Sequence, residues 1–159
     1  MTVESPGTAV REVVLARVFD APRERVFAAW TDPQRMARWW GPHEFTNPVC
    51  ELDARPGGAI LIHMRGPDGT VYPMTGLFQE IVPPERLVFT TKVLMDEAGN
   101  VLLEGLTTVT FLERDGKTEL TVRASITKAA PEAAGALEGM EEGWIQSLER
   151  LETELASPR

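Results

Sequence analysis

Apolar and polar positions alternate along most of this chain with the period of two that is typical of β-strands. The stretch "VREVVLARVF" (10–19) favours a first strand, and six further strand candidates follow between residues 46 and 126. These six are separated by the turn sequences "RPGG", "GPDG", "PPE", "EAGN" and "RDGK". Because such short connections join neighbouring strands that run in opposite directions, the pattern predicts an antiparallel meander.

Two short helices are predicted between the first strand and the meander. Asp20 is placed as an N-cap for "DAPRERVFAAWTDP", in which Val26, Phe27 and Trp30 share a helical face that we expect to point inward. Asp32 repeats this arrangement for "DPQRMARWW", where a proline follows the cap and a Gly-Pro pair is expected to end the helix.

A longer helix is predicted near the C-terminus, through "LEGMEEGWIQSLERLETEL". Its apolar side chains step by four, four, three and four residues, which gives one continuous stripe. The stripe consists of Met140, Trp144, Leu148, Leu151 and Leu155. An antiparallel sheet needs a cover for its apolar face, and this helix is the longest candidate. The order of elements therefore predicts an α+β fold in which a curved sheet wraps around the C-terminal helix.

Composition and charge narrow the function classes. The length of 159 residues suits one domain, which we expect over residues 10–156 behind a flexible leader at residues 1–9. A net charge of -8 and the scatter of the 16 basic residues argue against nucleic acid as a partner. The sequence contains no secretion signal and no apolar run long enough for a membrane, so we expect no membrane insertion and a cytoplasmic location.

Three stretches of the chain carry a family resemblance. They are "FDAPRERVFAAWTDPQRMARWWGP", "DARPGGAILIHMRGPDGTVYPMTGLFQEIVPPERLVFT" and "GMEEGWIQSLERLETEL". Together they resemble the START/Bet v 1-like helix-grip (SRPBCC) superfamily, and more narrowly its branch named after the activator of the heat-shock protein 90 ATPase. The resemblance covers about residues 10 to 155.

The resemblance implies a seven-stranded curved antiparallel sheet that grips the C-terminal helix, with two short helices between strands 1 and 2. It also implies an apolar cavity between the sheet and that helix. Superfamily members include lipid and hormone carriers, aromatase/cyclase proteins of polyketide pathways, an antibiotic self-resistance protein and the stress-related chaperone activator. The family therefore predicts the fold more firmly than the function.

The aromatic cluster in "RMARWWGPHEF" (35–45) is one candidate for the cavity wall. Neighbouring side chains on a helix point about 100° apart, so Trp39 and Trp40 cannot both face inward. We expect Trp39 to pack in the core, and Trp40 with Phe45 to stand at the mouth of the cavity.

His63 and Tyr72 are the candidate polar groups of the site. In "AILIHMR", alternation puts His63 on the face opposite Ile62 and Met64, and the sequence leaves open which face is the inner one. Tyr72 shares a strand face with Met74, where a phenol could orient a polar group of a ligand. A hydrogen-bonded structural histidine and a tyrosine at a strand edge are the alternatives.

Gly135, Gly139 and Gly143 recur at a spacing of four residues in the terminal helix region. A glycine inside a helix costs about 1 kcal/mol relative to alanine, which indicates a purpose. One interpretation is that the backbone approaches the sheet closely there, and the other is that the missing side chains leave room for a ligand beside Met140 and Trp144; both can hold at once.

Catalytic and metal-binding signals are weak. Glu51 and Asp53 share a strand face, which suggests an acid/base pair or, alternatively, a solvated outer face. Cys50 is the only cysteine, so it forms no internal disulfide or CxxC site. The sequence contains no phosphate-binding, dinucleotide-binding or serine-nucleophile motif. No second metal-ligating residue follows or precedes His63 at a recognisable sequence spacing. We expect no cofactor, no metal and no catalytic residues.

Together with the resemblance, these features predict a protein that binds a small, largely apolar molecule, such as an aromatic, polyketide-like or lipid-like compound, between the sheet and the C-terminal helix. The predicted ligand contacts are Trp40, Phe45, His63, Tyr72, Met74, Phe89, Met140, Trp144 and Leu148. A cyclase- or hydrolase-type enzyme acting on such a substrate, and a co-chaperone or other interaction module, are the alternatives. Both a monomer and a homodimer are compatible with the sequence.

Overall fold

The computed structural model describes residues 11–95 and 100–156. The predicted leader at residues 1–9 and most of the "EAGN" turn lie outside these ranges. Within them, the strands are β1 (Arg11–Phe19), β2 (Thr46–Leu52), β3 (Ala59–Arg65), β4 (Val71–Val82), β5 (Arg86–Met95), β6 (Val101–Arg114) and β7 (Lys117–Ala129). The helices are α1 (Arg23–Thr31), α2 (Pro33–Met36), a 3-10 turn (Pro131–Ala133), α3 (Ala134–Glu138) and α4 (Met140–Ala156).

The strands of the described residues form one antiparallel sheet in the order β1-β7-β6-β5-β4-β3-β2. The predicted meander accounts for β2 to β7, in which each strand pairs with the next one along the chain. β1 instead pairs with β7, so α1 and α2 carry the chain from one edge of the sheet to the other. On the way, α1 contacts β6, β7 and α4, and α2 contacts β2. The predicted α+β helix-grip fold is confirmed.

One face of the sheet, together with α1 and α4, encloses the core. In β3, Ile60 and Ile62 are buried, which makes theirs the inner face of that strand. On α4, Leu148, Leu151 and Leu155 are buried against the sheet side, and the two remaining members of the predicted stripe are half-buried nearer the start of the helix. The predicted apolar stripe is therefore confirmed, and its N-terminal end is the part that leaves the core.

The start of α1 differs from the prediction, although its inner face does not. Val26, Phe27 and Trp30 are buried, as their spacing predicts. Asp20 is wrong as the N-cap, because that position belongs to Pro22, which has an extended backbone (φ -67°, ψ 152°) and no side-chain capping bond. Proline holds this conformation by its ring, so the helix begins without a capping side chain.

The N-cap of α2 matches the prediction, whereas the end of α2 and the continuity of the terminal helix do not. The Asp32 carboxylate accepts a hydrogen bond from the Gln34 backbone N–H at 2.9 Å, so this predicted cap is confirmed. α2 ends at Met36, earlier than predicted, because the next residues form tighter turns. The terminal helix is divided into α3 and α4 at Gly139 (φ -88°, ψ 2°), where the apolar pattern predicts continuous helix.

Candidate functional site

A cavity of about 250 Å³ lies between the inner face of strands β3 to β7 and the helices α3 and α4. The loop between α2 and β2 forms its remaining wall. The residues that line the cavity are Trp40, Gly41, Pro42, Met64, Met74, Thr91, Val93, Leu103, Gly105, Thr107, Ala124, Ser125, Ile126, Ala136, Gly139, Met140, Gly143, Trp144 and Ser147. Ala136 and Gly139 are exposed, so the cavity meets the surface at the junction of α3 and α4.

The helix side of the cavity is open because side chains are missing there. A Cβ atom built on Gly143 would have Pro42 Cγ as its nearest neighbour, at 3.8 Å, and one built on Gly139 would lie 3.7 Å from a carbonyl one turn earlier. A Cβ atom on Gly135 would meet nothing within 4 Å. These glycines are therefore not required for a close approach to the sheet, and that interpretation is wrong. Gly139 and Gly143 instead border the cavity.

Two tryptophans form the aromatic wall. Trp40, 7% exposed, meets Trp144 edge to face, with ring centroids 5.6 Å apart and an angle of 85°. Trp144 also stacks on the buried Trp30, at 6.2 Å and 18°. Trp39 points away from the cavity into the core, where its indole N–H donates to the Ala29 carbonyl at 2.9 Å. The prediction that Trp39 packs in the core is confirmed. The expectation that the two tryptophans cannot both face inward is wrong, because α2 ends at Met36 and the pair lies on tighter turns, where Trp40 is also buried while it lines the cavity.

The polar groups of the lining are few and uncharged. Thr91 and Thr107 lie on the sheet wall, and Thr91 Oγ1 is 3.1 Å from the position that a Cβ atom on Gly105 would take. The Ser147 hydroxyl donates to a carbonyl one turn earlier in α4 at 3.0 Å, and the Ser125 hydroxyl donates to a carboxylate of β1 at 2.9 Å. Among the described residues, no ionisable side chain lines the cavity.

Arg150 of α4 holds the loop between α2 and β2, which forms the remaining wall of the cavity. One guanidinium nitrogen donates to the carbonyls of Trp40 (3.1 Å), Gly41 (3.0 Å) and Pro42 (2.9 Å), and the other donates to the Arg38 carbonyl (3.1 Å). Desolvation lowers the pKa of Arg150, but an arginine remains protonated at neutral pH. Gly41 has a φ of +97°, which an L side chain rarely adopts, so the loop also depends on glycine at this position.

Polar contacts on the outer side of this loop add to the attachment. His43 Nε2 lies 3.0 Å from Glu149 Oε1, and the His43 backbone N–H donates to the Gln146 side chain at 3.0 Å. Arg38 pairs with Glu154 at 3.1 Å. These contacts attach the loop along α4. The helix that borders the cavity therefore also positions Trp40, Gly41 and Pro42, the loop residues that line it.

Four of the nine predicted contact residues line the cavity: Trp40, Met74, Met140 and Trp144. Phe45 and Tyr72 lie beside it and pack on each other, with ring centroids 6.1 Å apart. Phe89 and Leu148 belong to the core, where they are 2% and 1% exposed. Whether any of these side chains contacts a ligand stays a prediction, and the geometry favours the four that border the cavity.

His63 requires a correction of its placement. It pairs with Val49 and Pro73 across the sheet and lies on the face opposite the buried Ile62 and the cavity-lining Met64. Its side chain therefore points away from the cavity and is not a candidate for orienting a molecule inside it. The period-two pattern separates these faces correctly but carries no sign of which face is the inner one.

The other candidates for chemistry also lie outside the cavity. Asp53 follows β2 and accepts two hydrogen bonds from the exposed Arg55 side chain (2.8 and 3.0 Å), and Glu51 is exposed. Burial raises the pKa of the Cys50 thiol to about 11, with smaller contributions from Asp32 and Glu51. The described residues contain no group of side chains that could hold a metal ion, and none of their helices is long and apolar enough to cross a membrane.

Sequence reasoning missed most of the sheet side of the cavity. β6 and β7 contribute residues to the wall for which the sequence analysis proposes no role, namely Leu103, Gly105, Thr107, Ala124, Ser125 and Ile126. The alternation within these strands is the signal that could have found all of them except Ser125, since Thr107 is in phase with the buried Val109 and Phe111, and Ala124 is in phase with Ile126. Alternation does not show, however, how far along a strand the helix stops covering the sheet.

An antiparallel sheet that grips a terminal helix around an apolar cavity defines a helix-grip protein. The chain belongs to the family described as Activator of Hsp90 ATPase homolog 1-like protein, whose profile matches residues 20–156. The resemblance inferred from the sequence is thereby confirmed.

Solved structures support the same assignment. A protein from Arthrobacter aurescens is 30% identical with a TM-score of 0.78, over 92% of this chain and 87% of that chain. A protein from Chromobacterium violaceum is 31% identical with a TM-score of 0.76, over 92% and 97%. The AHSA1 protein from Silicibacter pomeroyi is 25% identical with a TM-score of 0.74, over 92% and 98%. No curated protein matches the chain.

Proposed function

We propose that this protein binds one small, neutral, largely apolar molecule in the cavity between the sheet and α4. The observation that carries the proposal is a cavity of about 250 Å³ whose described lining is apolar and uncharged, beside helix positions that have no side chains. Ligand sites are typically concave and apolar, with a small number of polar groups that set orientation. The cytoplasm remains the proposed location.

The volume sets the size of the molecule. An apolar protein cavity of about 150 Å³ accommodates benzene, so a cavity of about 250 Å³ suits a compound with roughly ten non-hydrogen atoms. If such a compound buries about 250 Å² at roughly 25 cal/mol per Å², it gains about 6 kcal/mol before ordering costs. Without those costs the gain corresponds to a dissociation constant of roughly tens of micromolar, which is the tightest binding that burial alone predicts and sets the lower end of the concentration range for a titration.

The enzyme alternative receives no support from the lining. A cyclase or hydrolase needs a group that moves a proton, such as a histidine or a carboxylate, within hydrogen-bond reach of its substrate. The described lining offers hydroxyls and no ionisable side chain. We therefore propose binding without catalysis at this cavity.

The interaction-module alternative would be favoured by a continuous apolar surface. The exposed large apolar side chains are instead separated by polar neighbours; in the sheet register, for example, Glu119 lies between Val18 and Leu112. The family description refers to a chaperone activator, but no feature of the described surface favours that role for this chain.

Native mass spectrometry of freshly purified protein tests the proposal most directly. We expect an excess mass of a small neutral compound, which is lost on denaturation. Isothermal titration calorimetry with naphthalene, a neutral apolar probe of ten carbon atoms, provides the second measurement. If no ligand co-purifies and naphthalene does not bind at its solubility limit, the proposal is wrong.

A further inference from the structure

The polar part of the cavity wall indicates the chemical class of its ligand. This inference rests on the function proposed above. We propose that the ligand is a planar hydroxylated compound of one or two rings, in the class of phenols and naphthols. Its ring packs against Trp40 and Trp144, and its hydroxyl hydrogen-bonds to the side chains of Thr91 and Thr107.

Thr91 and Thr107 form one polar site on adjacent strands. Thr91 pairs with Gly105 across β5 and β6, and Thr107 is two residues further along β6 on the same inner face. Diagonal neighbours of this kind have Cβ atoms within about 7–8 Å, so one hydroxyl between them can reach both. Because position 105 is a glycine, no side chain separates the two threonines.

These two hydroxyls are available, whereas the other hydroxyls of the lining are engaged. Ser147 donates to a carbonyl of its own helix and Ser125 donates to a carboxylate of β1. Within the described residues, neither threonine hydroxyl takes part in a hydrogen bond. Thr107 is only 4% exposed as a residue, and its unpaired hydroxyl is therefore reached from the cavity that it lines. A ligand hydroxyl would provide the missing partner.

The opposite wall favours a flat ring. Trp40 and Trp144 meet at 85°, so together they present an aromatic face and an aromatic edge. Aromatic rings pack favourably in both arrangements. Met140 of α4 lies beside these rings, Met64 and Met74 border the cavity from the sheet, and thioether sulfur also packs favourably against aromatic rings.

The charge of the surroundings excludes an ionised polar group. Burying an unpaired charge is strongly unfavourable, and no cationic side chain among the described residues lines the cavity. The net charge of -8 adds a long-range repulsion for anions. A neutral hydroxyl fits this environment, whereas a carboxylate of the same shape does not.

The test compares probes of the same shape by isothermal titration calorimetry at pH 7. The probes are naphthalene, 2-naphthol, 2-methoxynaphthalene and 2-naphthoate. Since hydrogen bonds to two threonines contribute on the order of a tenfold change in affinity, we expect 2-naphthol to bind about tenfold more tightly than naphthalene. We expect 2-methoxynaphthalene to lose most of this advantage and 2-naphthoate to bind more weakly than naphthalene.

Variants assign the effect to the named residues. Thr91→Val and Thr107→Val remove the hydroxyls at nearly constant shape, and the double variant is expected to bind 2-naphthol no more tightly than naphthalene. Thr108→Val is the matched control, because Thr108 lies on β6 but faces Arg123 on the outer side of the sheet. It should leave all affinities unchanged.

The outcomes separate this inference from the function on which it rests. If naphthalene binds and 2-naphthol binds no more tightly, the hydroxylated class is wrong while the apolar binding function stands. If 2-naphthol keeps its advantage in the double variant, the threonine site is wrong. If none of the probes binds, the proposed function itself fails. The comparison of probes on the unmodified protein decides the ligand class even if a variant does not fold.

Discussion

Filling the cavity from its helix side is the most direct test of why α4 contains glycine at position 143. Gly143→Leu adds four carbon atoms at a position that borders the cavity, where the nearest neighbour of a new Cβ is Pro42 Cγ at 3.8 Å. This is an ordinary van der Waals distance, so we expect the helix to accept the side chain without displacing the backbone.

Stability and binding should then change in opposite directions. Replacing glycine within a helix by a good helix former contributes about 1 kcal/mol, which raises the Tm of a domain of this size by about 2–4 °C. The leucine also occupies a large part of the space that a ten-atom ligand needs, so we expect the affinity for naphthalene to fall at least tenfold. Thermal unfolding followed by circular dichroism and calorimetric titration measure the two effects.

Gly135→Leu is the matched control. Gly135 lies in α3, does not line the cavity, and has open space where a Cβ would stand. We expect its Tm to stay equal or rise and its affinity for naphthalene to remain that of the unmodified protein. The reasoning is refuted if Gly143→Leu lowers the Tm, which would mean that glycine is needed for packing, or if it binds naphthalene normally.

Further predictions concern the walls of the cavity and the Cys50 thiol outside it. Arg150→Lys loses the fork that joins α4 to the loop carbonyls, so the free energy of unfolding in urea should fall by about 1–3 kcal/mol; an unchanged midpoint would contradict this role. Gly105→Ala places a Cβ 3.0 Å from the Ser125 carbonyl oxygen and 3.1 Å from Thr91 Oγ1, so we expect a loss of about 1–3 kcal/mol in the same assay, whereas normal stability would show that the strands can separate there. Burial raises the pKa of Cys50 from 9.0 to about 11, so alkylation at pH 8 should be roughly 100-fold slower than in the unfolded chain. Because the folded pKa is the higher one, stability should also decline as the pH rises above about 9, and rapid alkylation of the folded protein would contradict the assignment.

The fold follows from the sequence wherever local chemistry and periodicity agree. The short turns predict the meander, and the spacing of Leu148, Leu151 and Leu155 predicts the face of α4 that the sheet covers. Asp32 is a correct cap because the carboxylate and the Gln34 backbone N–H that it binds are two residues apart. Interactions of this range depend on residue type and spacing, and both can be read from the sequence.

The candidate site follows less completely, because it depends on relations between distant segments. Period-two alternation is symmetric, so it does not decide which side of β3 carries His63. The partners of Arg150 are main-chain carbonyls more than 100 positions away, and a carbonyl leaves no mark in residue type. Phe89 and Met74 both face inward, but Trp30 and Trp40 pack on Phe89, whereas Met74 borders the cavity, and these contacts join segments that are distant in the sequence.

The aromatic wall of the cavity also belongs to the core. Trp30 contacts Trp39, Trp40, Phe89 and Trp144, so the rings that would touch a ligand support the same block that holds α1 against the sheet. Substitutions on this side would disturb folding before they changed selectivity. Other residues that border the cavity are small or hydroxylated, namely Gly139, Gly143, Thr91 and Thr107, and they are not part of this aromatic block. A change of ligand preference during evolution would therefore accumulate at the helix glycines and the strand threonines, and protein engineers should randomise those positions while leaving the tryptophans untouched.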